Sequence, residues 1–105
     1  MVSLKNFNLI VASIMERYGE DAVGSVSWSK HFYTIHVQTN CFRDCVERLS
    51  KDYDLKLNEN GWIYATLKDK GNVSISCHIG KESIHYPIDI DIDDYFDQEG
   101  NVYDR

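Results

Sequence analysis

Between Leu4 and Tyr18 the apolar residues Leu4, Phe7, Val11, Ile14, Met15 and Tyr18 recur at three- and four-residue steps. That spacing makes one stripe of an amphipathic helix and predicts a helix over about residues 3–18. Ser3 stands before the stripe as a cap and Gly19 after it as a stop. The period then drops from about 3.6 to two. Val26 and Trp28 alternate with serines, and beyond Ser29-Lys30 the residues Tyr33, Ile35 and Val37 alternate with Phe32, Thr34, His36 and Gln38, as in a hairpin. Helical spacing returns with Phe42, Cys45, Val46, Leu49 and Tyr53, for which Thr39 or Asn40 is the expected cap.

From Asn60-Gly61, a tight-turn pair, the alternation resumes for good. Ile63, Ala65 and Leu67 oppose Trp62, Tyr64 and Thr66; Val73, Ile75, Cys77 and Ile79 then oppose Ser74, Ser76 and His78. A last strand is expected over residues 87–93, where Ile88, Ile90 and Ile92 point one way and Asp89, Asp91 and Asp93 the other. The order is α-β-β-α-β-β-β. Short connections favour antiparallel neighbours, so the chain is expected to be one α+β domain over residues 1–105. Its architecture would be a single antiparallel sheet of about five strands with two α-helices packed on one face, ending in an acidic strand and tail over residues 87–105.

Charge changes this picture at one end only. Residues 1–88 carry ten acids and ten bases, whereas residues 89–105 carry seven acids (Asp89, Asp91, Asp93, Asp94, Asp97, Glu99, Asp104) and one base. The whole formal charge of −6 therefore sits in the last seventeen residues. Such a molecule repels nucleic acid and anionic lipid, so neither is an expected partner, and a basic protein is the natural complement. The longest unbroken apolar run, residues 9–12, is far below a membrane span. Three cysteines, an odd number, do not make a disulfide framework, and a cytoplasmic location is expected.

The aspartates at two-residue steps stand ~6.8 Å apart along a strand, about half the linear charge density of a single DNA strand. They can serve as protection of a sheet edge or as a docking surface for a basic protein. A calcium loop starting at Asp89 fails, because Asp94 falls where glycine is needed and Gly100 where the closing glutamate is needed. A second candidate is the sheet face that collects Phe32, Thr34, His36, Trp62, Tyr64, Thr66, Ser74, Ser76 and His78. Trp and Tyr there suit a protein interface. A zinc site drawn from Cys41, Cys45, Cys77 and His78 is disfavoured: Cys77 and His78 are adjacent in a strand and diverge, and Cys45 and Cys77 fall on core stripes. No phosphate loop, nucleophile elbow or His-Glu helix motif occurs.

The expectation is a non-enzymatic binding protein with no cofactor and no metal. It would inhibit a basic partner, such as a nuclease or another nucleic-acid-binding protein, by occupying its nucleic-acid surface, as immunity, anti-defence and nucleic-acid-mimic proteins do. Asp89, Asp91, Asp93, Asp94, Asp97, Glu99, Trp62, Tyr64 and Tyr95 are the expected partner-binding residues. The alternatives are an accessory assembly subunit that binds through the aromatic sheet face, and a small enzyme.

Overall fold

The computed structural model describes residues 1–57 and 61–79. The first helix, α1, spans Leu4–Tyr18. Ser3 caps it, its Oγ accepting the Asn6 amide at 3.2 Å, and Gly19 at φ +99° ends it while still donating to the Met15 carbonyl. A 3₁₀ turn, Glu20–Ala22, leads into the hairpin of β1 (Val23–Ser29) and β2 (Phe32–Val37). The two strands pair antiparallel around Lys30, whose φ of +53° is uncommon outside glycine and follows from the two-residue turn.

The second helix, α2, is Phe42–Leu49. Its cap position is Cys41, later than the expected Thr39 or Asn40, because the Cys41 amide donates back to the Gln38 carbonyl and closes a turn through those two residues. The helix also stops before Tyr53. Ser50, buried at 4% exposure, bonds the Asp52 backbone from both directions and the Asp69 carboxylate, which turns the chain out of the helix. Tyr53 therefore opens a strand that the helical pattern concealed, β3 (Tyr53–Leu57). Two further strands follow, β4 (Trp62–Leu67) and β5 (Val73–His78). Asn72 braces the N-terminus and the hairpin together: its side chain bonds both Val2 backbone groups at 2.9 Å and the His31 carbonyl at 2.6 Å.

The strand order is β1-β2-β5-β4-β3. The sheet is mixed, not purely antiparallel, because β5 enters between β2 and β4 and runs parallel to β2. The strand β5 is the middle one, and its serines are small enough to be covered from the flanking strands, Ser74 beside Thr66 and Ser76 beside His36 at 3.3 Å each. Five consecutive β5 residues, Val73 through Cys77, are buried, including Ser74 and Ser76 on the face away from the helices. The expected strand over residues 87–93 lies outside the described residues, so the five strands seen include β3 in its stead.

One face of the sheet and the two helices share a single core. Phe7 and Ile14 of α1 and Phe42, Cys45 and Val46 of α2 join Tyr33, Ile35, Val37, Leu55, Ile63, Ala65, Leu67, Val73, Ile75 and Cys77. The Phe7 ring stacks on Tyr33 with centroids 4.6 Å apart. Each fully buried Ile or Phe stabilises by about 1.5–3 kcal/mol, so this layer holds the fold. At the rim the Tyr18 hydroxyl donates to Asp44 of α2, which also receives Arg48 at 2.9 Å, tying the two helices together.

Candidate functional site

Because both helices contribute to one core, the opposite face of the sheet carries no helix among the described residues. Strand alternation sends Ser25 and Ser27 of β1, Thr34 and His36 of β2, Ser74 and Ser76 of β5, and Trp62, Tyr64 and Thr66 of β4 to that face. The pairing places them in rows. Ser27, Thr34, Ser74 and Thr66 make a hydroxyl row, with Thr66 and Ser74 oxygens 3.3 Å apart. Ser25, His36, Ser76 and Tyr64 make the next, and Trp62 with His78 the third.

Trp62 is the centre of this surface. Its ring lies 4.6 Å from that of His36 and 4.7 Å from that of His78, tilted at 56° and 60°. His36 and Trp62 stand on strands that flank β5, and they meet diagonally across it: His36 is level with Ser76 and Trp62 with His78, and the small Ser76 side chain does not stand in the way of the imidazole. On the other side Gly24 leaves room for the imidazole: a Cβ there would come within 3.3 Å of His36 Cδ2. The result is a shallow depression of about 310 Å³ walled by Trp62, Tyr64 and His36 and floored by Ser25, Ser27, Thr34 and Ser76.

The electrostatics of the depression are neutral. Burial lowers the His36 pKa, and the nearby His78 lowers it further, so at neutral pH the ring is uncharged. Its Nδ1 lies 3.3 Å from Ser76 Oγ. This Ser-His pair is poorly placed for nucleophilic chemistry, since Ser76 is only 2% exposed and, among the described residues, no carboxylate bonds the His36 ring. The charges of this face stand at its β3 edge, where Asp54 pairs with Thr66 and Lys56 with Tyr64 across the strands, and Asp54 is held by Lys68 at 3.3 Å. What the centre can do is stack, make hydrogen bonds through hydroxyls and bury apolar surface.

A second depression, about 370 Å³, lies between the end of α1 and the start of α2, lined by Tyr18, Asp21, Ala22, Gln38, Asn40 and Cys41. Gln38 in it is already committed, donating through Nε2 to the Asp21 carbonyl and through its amide to the Ala22 carbonyl. All three cysteines are buried, and Cys77 and His78 point to opposite faces of the sheet. Among the described residues no group of three or more His, Cys, Asp or Glu side chains could hold a metal ion, and no helix is long and apolar enough to cross a membrane.

Of the residues singled out from sequence, Trp62 and Tyr64 stand together on the open face. Asp89, Asp91, Asp93, Asp94, Tyr95, Asp97 and Glu99 lie outside the described residues. The contribution of Ser25 and Ser27, and the tilted contact of His36 with Trp62, are not legible in the sequence. Alternation could have put them on one face, but only the β2–β5 pairing puts them side by side. No family model matches this chain, and neither curated proteins nor solved structures give a match.

Proposed function

We propose that the chain is a non-enzymatic binding protein that docks another protein on the sheet face away from α1 and α2. The observation that supports this most is Trp62, a large ring held between two imidazoles and forming one wall of an uncharged, hydroxyl-rich depression. Packing Trp62 against two neighbours restricts its rotamers before any partner arrives, which lowers the entropy cost of using it as an anchor. The acidic residues 89–105 give the reading its direction: their six net negative charges select a basic partner and speed its approach.

A second reading gives those acids the leading role. There the chain is an inhibitor that covers a nucleic-acid-binding surface, for instance that of a nuclease, and the concentration of the full net charge in residues 89–105 favours it. Affinity for a partner recovered by crosslinking from the source cell, measured at low and at physiological salt, separates the two. Docking on the sheet face predicts that Trp62→Ala weakens binding by 1.4 kcal/mol or more, about tenfold, with little change in salt dependence. The acid-led complex predicts that changing Asp89, Asp91 and Asp93 together to Asn weakens binding and flattens its salt dependence while Trp62→Ala does little. Full affinity in Trp62→Ala refutes the first reading.

A further inference from the structure

Among the described residues β1 and β3 are the two edges of the sheet, and they are built differently. On β3 the solvent-facing positions carry Asp54 and Lys56, charges of the kind that discourage a second chain from pairing. On β1, the sequence Val-Gly-Ser-Val-Ser-Trp-Ser, no residue is charged, and every residue after Val23 is exposed. Val26 and Trp28 sit on the helix side of the sheet, since they pair with the buried Ile35 and Tyr33, yet they are 44% and 66% exposed. An uncharged edge with two exposed apolar side chains on one face is a template for another strand.

We propose that β1 is the interface for a second copy of this chain, paired antiparallel about a two-fold axis through Ser27. The register follows from the residues. With Ser27 opposite the second copy's Ser27, each Val26 faces the other copy's Trp28, an aromatic and β-branched pair formed twice, while Ser25 faces Ser29 on the open side. Shifting the register by one residue would set serines against Val and Trp, and a shift of two would set Trp28 against Gly24 or Val26 against Lys30, so only this alignment pairs both apolar residues with apolar partners. Charge agrees with it. Glu20 and Asp21 precede β1 and Lys30 follows it, so antiparallel pairing brings the basic end of each strand toward the acidic end of the other. The bulge between Val23 and Ser25 lies outside the five paired positions and does not disturb them. Two five-stranded sheets become one, and their two Trp62 depressions, each floored by Ser25 and Ser27, come to lie on either side of the axis. The pairing holds whether or not the open face docks a partner.

The full chain is tested by sedimentation equilibrium across a concentration series, with circular dichroism as the check on folding. The wild type is expected to reach twice the chain's mass by about 100 μM, since self-association follows mass action. Ser27→Asp and Ser27→Lys each place like charges opposite one another and are expected to be monomers, while an equal mixture of the two restores the dimer. Trp28→Thr, at an exposed position, is expected to raise the dissociation constant at least tenfold and carries the test if the Ser27 variants do not fold. A wild type that stays monomeric overturns the proposal, and protection of its outward β1 amides from exchange would then give the edge to residues 80–105 of the same chain. Dimers that persist in folded Ser27→Asp overturn it as well, and so do an unchanged dissociation constant in Trp28→Thr and a mixture that fails to associate.

Discussion

Ile63 and Trp62 are neighbours on β4 that face opposite sides of the sheet, and the difference in the cost of truncating them tests which side is which. Ile63 is fully buried, paired with Cys77 on one side and Leu57 on the other. Ile63→Ala removes three carbons, a transfer loss of about 2.4 kcal/mol at about 0.8 kcal/mol per buried methylene. The sheet cannot collapse around so central a position, and a residual cavity of roughly 40 Å³ adds about 1 kcal/mol. The expected cost is about 3–4 kcal/mol. Trp62 is half-buried and opens on the depression, so its removal lets water in and leaves no void. What Trp62→Ala loses is two tilted ring contacts and some apolar cover, under about 1.5 kcal/mol in all. In urea, with a slope of about 1.5 kcal/mol/M, the midpoint falls by about 2 M for Ile63→Ala and by less than 1 M for Trp62→Ala. Equal shifts, or a larger one for Trp62→Ala, would mean that the aromatic face is part of the core and would remove the basis for a docking surface there.

Three further predictions rest on particular contacts. Asn72→Ala strips a 2% exposed amide from the Val2 and His31 backbone, and urea unfolding is expected to show a loss of about 2–4 kcal/mol; a loss below 1 kcal/mol would refute the bracing role. The His36 pKa is lowered in the fold from 6.5, so the unfolded chain takes up the proton more readily and stability drops as pH falls through about 6.5; the urea midpoint between pH 7.5 and 5.5 should fall less in His36→Gln than in wild type, and equal falls would refute it. Tyr18 is pushed up to about 12 by burial and by its hydrogen bond to Asp44, whose own carboxyl is held below the usual range first by that bond and then by Arg48. Ultraviolet titration of the phenols should show one tyrosine titrating last in wild type and moving toward 10 in Asp44→Asn, and an unchanged profile would break the assignment. The sign for stability is opposite at the two groups: the Tyr18 contribution is full below pH 10 and lost as pH rises toward 12, whereas that of Asp44 is full above its unfolded value of 3.8 and lost as pH falls below it.

What the sequence determined by itself is local. Spacing of three and four placed α1 with its Ser3 cap and Gly19 stop, and strict alternation placed β2, β4 and β5 and divided their residues correctly between two faces. Those patterns are legible because each depends on one element meeting one core. Three features depended on distant partners. Tyr53 continues the apolar spacing of α2, and only the bonds of Ser50 to Asp52 and Asp69, nineteen residues on, turn it into a strand. Ser74 and Ser76 look like solvent positions, and they are buried because they are small side chains on the middle strand, covered by Thr66 and His36 from the strands on either side. The parallel pairing of β5 with β2 joins segments about forty residues apart, which alternation cannot report, since period two is the same for either strand direction. The site has the same divided origin. Alternation assigned Trp62 and His36 to one face, but the contact of their rings exists only because tertiary pairing set β2 and β4 on either side of β5, with His36 level with the small Ser76 and Trp62 level with His78.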